Sequence, residues 1–214
     1  MRLTKGRLSL IIILGILFLD QLLKIWVKTS FYLGESVHIA DWFQLYFIEN
    51  NGMAFGMEVG SKLFLTVFRI VAVGVLIYYI CRIKSKPYIK KGYVACWSLV
   101  VAGAAGNIID CLFYGVIFNN PLPPEVATFM PDGGGYAPLL YGRVVDMLYF
   151  PLFSFYWPDW VPFVGGEYFL FFQPIFNLAD AAITVGMLSL ILFYSKSLTT
   201  THKAEVVEGE TTEK

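Results

Sequence analysis

The chain has 214 residues, of which 57% are hydrophobic and 15% are charged, and its formal net charge is zero. Soluble domains carry about 25% charged residues, so this composition indicates an integral membrane protein. A neutral chain offers no basic surface for a phosphate backbone, and we expect no nucleic-acid partner. Three cysteines and two histidines give no disulfide framework and no cluster of metal ligands, so we expect neither a metal nor a cofactor.

Four apolar stretches are long enough to cross a bilayer, which takes about 20 residues. They are Leu8–Val27, Leu63–Arg82, Tyr93–Ile117 and Phe172–Tyr194. We expect a single integral membrane domain over residues 1–195. The remaining residues, 196–214, are polar and acidic with few aromatic rings, a composition typical of a disordered tail.

Basic residues are concentrated before the first span and between the second and third. These segments contain Arg2, Lys5, Arg7, Arg82, Lys84, Lys86, Lys90 and Lys91, whereas the other two connections contain Lys28, Lys62 and Arg143. By the positive-inside rule, both termini are cytoplasmic and the two long connections face outward.

The two outer connections differ in composition. In the first, Val37–Ile48 is rich in aromatic and β-branched residues and is followed by Asn50-Asn51-Gly52, which predicts a small sheet with a turn. The second, about Phe118–Phe171, is long and rich in proline, glycine and aromatic residues. It predicts irregular backbone with rings at headgroup depth, acting as a lid, a binding element or an interfacial anchor.

Polar groups interrupt three of the apolar stretches at Asp20, Asn107, Asp110 and Asp180. An ionisable group within a span is costly, which makes each a candidate functional residue. At about 1.5 Å per residue, they lie roughly 18–26 Å from the cytoplasmic ends of their helices. In a hydrocarbon core of about 30 Å, these depths place all four groups in the outer half of the membrane. Polar groups from three helices at one depth predict a shared pocket that opens outward.

The local spacing of these groups suggests shared helix faces. Gly103, Gly106, Asn107 and Asp110 follow an i, i+3, i+4, i+7 pattern, and the glycines permit a close approach of another helix. Asn177 and Asp180 share a face of the fourth predicted span. Asp180 is placed in the helix interior with no basic residue nearby, so it needs a partner from elsewhere or a bound proton.

Structural explanations remain open for several of these residues. Asp20 and Lys24, at i and i+4, can form an intrahelical ion pair with Lys24 extending to the interface. Asn107 and Asp110 can form a hydrogen-bond network between helices. Asp146 follows Arg143 by three residues, which can simply pair with it.

Two classes of function are compatible with buried carboxylates in a membrane chain. An intramembrane hydrolase would use one as a general base on water and another as a general acid. A small proton-coupled carrier would use them as a relay. Carriers are commonly built from internal repeats with polar sites at the midplane, whereas this chain has no repeat and its polar set is offset outward. The hydrolase is favoured.

Five sequence blocks, in order, resemble the lipoprotein signal peptidases (signal peptidase II, a family of aspartic peptidases). They are Asp20-Gln21-x-x-Lys24, Asn50-Asn51-Gly52-Met53-Ala54-Phe55, Gly103-Ala104-Ala105-Gly106-Asn107-x-x-Asp110, Val144-Val145-Asp146 and Phe176-Asn177-x-Ala179-Asp180. The resemblance implies an all-α membrane protein with four transmembrane helices, a small periplasmic β-cradle and an interfacial helix in the second outer connection. It also implies an endopeptidase that removes signal peptides from diacylglyceryl-modified prolipoproteins at the outer face of the inner membrane.

The resemblance assigns the catalytic pair to Asp146 and Asp180. It assigns substrate-binding or supporting roles to Asp20, Lys24, Asn50, Gly52, Asn107, Asp110 and Asn177. The expected partners are a lipid-modified prolipoprotein and membrane lipids, and the expected state is a monomer.

The chain departs from the family at two points. The family commonly has arginine directly after the third-span aspartate, where this chain has Cys111, and the connection from there to Asp146 is unusually long. Our hypothesis is that Arg143 takes over part of the missing arginine's role, near Asp146 or the substrate.

Overall fold

A computed structural model describes the backbone of residues 3–51 and 62–212, and the side chains to residue 195. The chain forms two compact units. One, termed the helical unit, comprises Met1–Leu19, Val67–Ile108 and Ala179–Lys214. The other, termed the sheet unit, comprises Asp20–Thr66 and Ile109–Leu178. The single domain expected over residues 1–195 stays a prediction.

Within the described residues, four helical segments are long and apolar enough to cross a membrane: Lys5–Ser30, Lys62–Ile83, Lys91–Ile117 and Leu178–Ser195. The first two are helices α1 and α2. The third consists of α3 (Lys91–Ile109), a π-helical turn (Asp110–Tyr114) and α4 (Gly115–Ile117).

Large apolar side chains such as Phe18, Phe68 and Leu192 are exposed on these helices. A protein surface of this kind is suited to lipid rather than water. The first three predicted spans, Leu8–Val27, Leu63–Arg82 and Tyr93–Ile117, are therefore confirmed as helices of spanning length.

The fourth helix, α5 (Leu178–Thr212), differs from its prediction at both ends. The predicted start at Phe172 is wrong, because Phe172 has a positive φ of 66° and the chain then forms a short strand before the helix. Pro174, which lacks an N–H, adds to the break. At the other end, residues 196–212 were expected to be disordered, but the backbone stays helical through Thr212.

The sheet unit contains a four-stranded sheet of order β1-β2-β3-β6, in which all neighbours are antiparallel. Its strands are β1 (Ser36–Ala40), β2 (Phe43–Asn50), β3 (Val144–Tyr149) and β6 (Ile175–Phe176). A separate hairpin pairs β4 (Phe153–Tyr156) with β5 (Tyr168–Phe171). The small sheet predicted from Val37–Ile48 is confirmed. It is extended by β3 from the second connection and by β6, which lies in the segment predicted to begin the fourth span.

These strands correct two expectations for the fold class. The term all-α is too narrow, because six strands in two sheets accompany the helices in the described residues. The interfacial helix expected in the second connection is also wrong: residues 118–171 are all described, and they form strands, turns and irregular backbone without a helix.

The second connection folds back on the end of the third helical segment. Backbone N–H groups of Ala137, Leu140 and Gly142 donate to the carbonyl oxygens of Gly115, Leu112 and Cys111, at 2.9, 3.2 and 2.9 Å. A π-helical turn and a helix end leave carbonyl oxygens without the usual intrahelical donors. The returning chain supplies those donors.

Gly142 makes the closest approach in this arrangement. A Cβ built at Gly142 would lie 2.0 Å from the carbonyl oxygen of Asp110, well inside van der Waals contact. Only a glycine permits the loop to pass this close to the helix backbone.

We therefore predict that Gly142→Ala lowers the free energy of unfolding by about 1–3 kcal/mol, the usual cost of overpacking. Thermal unfolding in detergent measures the effect. Gly133→Ala is the matched control, because a Cβ at Gly133 would meet nothing within 4 Å. Equal melting temperatures for the two variants would contradict the packing described here.

Candidate active site

A buried ion-pair network in the sheet unit joins α1 to the π-helical turn. The Lys24 ammonium lies 2.9 Å from Asp20 Oδ2 and 2.8 Å from Asp110 Oδ2, and all three side chains are at most 1% exposed. The i, i+4 pair predicted for Asp20 and Lys24 is confirmed. Lys24 does not extend to the interface, however, because Asp110 holds it inside the protein.

Neutral donors complete this network. Gln21 Nε2 donates to Asp110 Oδ1 at 2.9 Å and to Asp20 Oδ2 at 3.2 Å. The Tyr114 hydroxyl in turn donates to Gln21 Oε1 at 3.1 Å. Each of these bonds is made to a group that would be costly to bury alone. The network therefore fixes the orientation of both carboxylates.

The same network reaches the strand that carries Asp146. The backbone N–H of Val145, in β3, donates to Asp110 Oδ2 at 3.2 Å. Asp110 thus binds both a cation and the peptide group directly before Asp146. Its contacts support the structural explanation for Asp110, in which the residue holds separate chain segments together.

Asp146 is buried in β3 and receives a hydrogen bond from an amide. Asn177 Nδ2 donates to Asp146 Oδ1 at 2.7 Å and to the carbonyl oxygen of Val145 at 3.2 Å. Asn177 lies between β6 and α5 and is fully buried. It therefore precedes the fourth helix, and the prediction that it shares a helix face with Asp180 is wrong.

Asp180 lies in the helical unit, in the first turn of α5 rather than in the helix interior as predicted. The exposed N–H groups of a helix N-terminus favour a carboxylate there. Asn107 Nδ2 of α3 donates to Asp180 Oδ1 at 2.7 Å. Asn107 is therefore the partner from another element that the sequence required for Asp180.

A glycine permits this contact between α3 and α5. A Cβ at Gly103 would lie 2.1 Å from the carbonyl oxygen of Ala179, the residue before Asp180. The close helix approach predicted for Gly103 is confirmed, and it brings Asn107, one turn further along α3, within reach of the carboxylate.

Arg143 lies at the start of β3, but its ion pair is not with Asp146. Its Nη1 lies 2.9 Å from Glu49 Oε2 and donates to Asn120 Oδ1 at 3.2 Å. Glu49, in β2, also forms an ion pair with Lys28. The expected contact between Arg143 and Asp146 is thus replaced by a contact with the neighbouring strand.

Sequence reasoning missed Lys28 and Glu49. Lys28 follows Lys24 by four residues, so the two ammonium groups share one face of α1, and that spacing was an available signal. Glu49, a single acid within an aromatic strand sequence, gave no sign of which cations it binds.

Two further positions singled out in the sequence, Asn50 and Cys111, lie within the described residues. Asn50 ends β2 opposite Val144 in the β2–β3 ladder. Gly52 lies outside the described residues. Cys111 is buried in the π-helical turn, at the position where the family commonly has arginine.

Comparison with known proteins identifies relatives over most of the chain. The family model for signal peptidase II matches residues 12–196. A lipoprotein signal peptidase from Porphyromonas gingivalis is 48% identical, covering 98% of this chain and 93% of the relative. Another from Amoebophilus asiaticus is 40% identical, covering 81% and 72%. These relatives give no support to a proton-coupled carrier.

Solved structures support the fold. Two chains described as bacterial membrane enzymes match with TM-scores of 0.57 and 0.61. Their sequence identities are 24% and 23%, with 86% and 90% of this chain covered and 90% of each of theirs. The fold, the extent of the family match and the relatives agree: this chain is a membrane protease that belongs to the signal peptidase II family.

Proposed function

We propose that the chain is an aspartic endopeptidase that cleaves signal peptides from diacylglyceryl-modified prolipoproteins, with Asp146 and Asp180 as its catalytic carboxylates. Family membership supports the reaction class. The assignment to these two residues rests on the sequence blocks they occupy and on their contacts within each unit.

One observation carries the assignment: among the described residues, the four aspartates of the family blocks fall into two classes by the partners given above. Asp20 and Asp110 share the buried Lys24 ammonium, which holds them as structural anions. Asp146 and Asp180 each receive a 2.7 Å hydrogen bond from an asparagine amide on Oδ1. A neutral amide orients a carboxylate without fixing its charge, whereas an adjacent ammonium opposes protonation. Proton exchange therefore suits Asp146 and Asp180.

In the proposed reaction, one carboxylate takes a proton from water, and the water oxygen bonds to the scissile carbonyl carbon. The other, protonated, carboxylic acid gives its proton to the carbonyl oxygen. As the tetrahedral intermediate collapses and the C–N bond breaks, the first carboxyl group gives the proton taken from water to the leaving nitrogen. The second carboxylate takes a proton back from a hydroxyl of the intermediate, which restores the starting state. One acid must be ionised and the other protonated at the start, as in other aspartic peptidases.

Asn107, Asn177 and the Lys24 network support this chemistry by holding the two carboxylates from neighbouring elements. Residues that lock catalytic groups through packing and hydrogen bonds are a general requirement of precise sites. We assign Asn50 and Gly52 to substrate binding on the resemblance alone. We propose further that the enzyme works as a monomer and without metal, cofactor or nucleic acid.

We place the protein in the inner membrane, with both termini cytoplasmic and the sheets periplasmic. The distribution of basic residues supports this orientation, because eight of them lie before the first span and between the second and third, whereas the outward connections contain Lys28, Lys62 and Arg143. By the positive-inside rule, the larger group of basic residues marks the cytoplasmic side.

The β4–β5 hairpin is our candidate for the interfacial periplasmic segment. An isolated two-stranded hairpin is at best marginally stable in water. This one exposes the rings of Tyr156, Trp160 and Phe163, the last two at 81% and 101%. Across the hairpin, rings also pair: the centroids of Phe153 and Phe171 are 4.7 Å apart, and those of Tyr156 and Tyr168 are 5.2 Å apart. Tyrosine and tryptophan rings are enriched at membrane–water interfaces.

Removing the acid/base function tests the catalytic pair. We predict that Asp146→Asn and Asp180→Asn each lower turnover by roughly 10²–10⁴-fold, because an amide keeps the shape but cannot exchange the proton. A purified enzyme in detergent and a diacylglyceryl-modified peptide are needed. Asp41→Asn, at a fully exposed acid of the sheet unit, serves as the control. Turnover retained in either variant would return the catalytic role to Asp110.

Asp110→Asn should lower the stability of the protein more than its turnover. The variant weakens the bonds that the Asp110 carboxylate makes to Lys24 and to the Val145 N–H. Hydrogen bonds to charged groups are stronger than neutral ones, so we expect the free energy of unfolding to fall by about 2–4 kcal/mol. Denaturation in detergent, compared with Asp180→Asn, provides the measurement. If Asp110→Asn unfolds like the parent while losing turnover, the structural role assigned to Asp110 is wrong.

Reporter fusions test the orientation. A fusion after Lys90 should report the cytoplasm, and one at Gly134 should report the periplasm, because the charge distribution opposes transfer of the 82–91 segment. A cytoplasmic signal at Gly134 would place the proposed site at the wrong leaflet.

A further inference from the structure

Glu49 lies between two cations from different parts of the sheet unit. It is 4% exposed, forms an ion pair with Lys28 of α1 through Oε1, and contacts Arg143 through Oε2 at 2.9 Å. Lys28 is 2% exposed and Arg143 is 31% exposed. Burying a charge is costly unless the charge is paired. Here one carboxylate pairs with a cation of α1 and with a cation directly before β3.

Aromatic rings restrict both cations. The Lys28 ammonium lies 5.3 Å from the ring centroids of Phe118 and Tyr136 and 5.8 Å from that of Phe47. The Arg143 guanidinium lies 5.0 Å from the Tyr136 centroid, within the range of a cation–π contact.

The Tyr136 hydroxyl also accepts the backbone N–H of Arg143 at 2.7 Å. Burial raises the pKa of this hydroxyl above its ordinary value, so it stays protonated and neutral beside Glu49. Arg143 is thus held by its side chain and by its backbone.

The position of Glu49 matters because the adjacent ladder is irregular. In the β2–β3 pairing, Leu45 lies opposite Leu148, but Ile48 lies opposite Asp146, with a register shift between them. A bulge disrupts the ladder locally and leaves its extra residue unpaired. A slip of one residue would turn every β3 side chain, including Asp146, to the other face of the sheet.

The Glu49–Arg143 contact lies just beyond this irregularity. Glu49 is opposite Val145, and Asn50 is opposite Val144, directly after Arg143. An ion pair across these strands stabilises one register, because a slipped strand would move the guanidinium away from the carboxylate. Lys28 fixes the same carboxylate to α1.

We propose that Glu49 is a positioning residue for Asp146, which holds the bulged β2–β3 ladder in register by binding Arg143 and Lys28 together. This inference rests on the proposed function in one respect, the catalytic role of Asp146. It also changes our hypothesis for Arg143: this arginine acts on the site through Glu49 rather than by contact with Asp146.

The test is a double-mutant cycle on full-length enzyme in detergent, with a diacylglyceryl-modified peptide as substrate. Glu49→Gln and Arg143→Gln should each lower kcat by about 10–100-fold, the cost of a small displacement of a catalytic group, with KM within about twofold of the parent. The double variant should be no slower than the slower single variant. Arg143→Lys, which keeps the charge, should restore part of the kcat lost in Arg143→Gln.

Asp132→Asn is the matched control, because it removes an exposed carboxylate from the same unit and should leave kcat unchanged. The active fraction is measured by inhibitor titration, so that kcat refers to folded enzyme. If Glu49→Gln does not fold, the kcat values of Arg143→Gln and Arg143→Lys test the proposal. Arg143 is partly exposed, so its substitution costs less stability than that of the buried Glu49.

Three outcomes would overturn the inference: unchanged kcat in folded Arg143→Gln, multiplicative losses in the double variant, or a raised KM at constant kcat. The last would indicate direct substrate contact. Asp146→Asn separates the two proposals. If it retains turnover, the proposed function fails; if it is inactive while Arg143→Gln matches the parent, only the positioning role fails.

Discussion

The buried ammonium of Lys24 is the constraint on which the sheet unit depends. A lysine with no exposed surface is tolerable only when its charge is matched, and Asp20 and Asp110 match it at 2.9 and 2.8 Å. Asp110 also accepts the N–H of Val145. One carboxylate therefore connects the C-terminal part of α1, the π-helical turn and β3, and it helps to position the strand that carries Asp146.

A second ammonium repeats this arrangement one helical turn further along α1. Lys28 binds Glu49 of β2, so the same helix face contacts the π-helical turn through Lys24 and the sheet through Lys28. Around Lys28, the buried side chains of Phe31, Phe47 and Phe118 form the apolar core of the unit. The charges are thus enclosed by rings, which excludes water and strengthens the electrostatic interactions.

The two proposed catalytic acids depend on neighbours of another kind. Asn177 binds Asp146 within the sheet unit, and Asn107 binds Asp180 within the helical unit, both through the amide nitrogen. Amides hold a carboxylate at a fixed angle and leave its protonation to the reaction. This difference in partners is the basis on which we propose structural roles for Asp20 and Asp110 and chemical roles for Asp146 and Asp180.

Local patterns in the sequence determined the helices of spanning length, the presence of a small sheet in the first connection and the Asp20–Lys24 pair, because hydropathy, β-propensity and i, i+4 spacing each depend on neighbouring residues. The family blocks identified Asp146, Asp180 and their asparagines as candidates.

Only the tertiary structure decided the partners: Asn177 reaches Asp146 across 31 residues, and Arg143 reaches Glu49 across 94. The start of α5 likewise depends on the pairing of β6 with β3. Such contacts depend on how the second connection folds back on the end of the third helical segment. That fold-back is made by backbone hydrogen bonds and by the close approach of Gly142. Backbone bonds and a single glycine leave no periodic signal in the sequence.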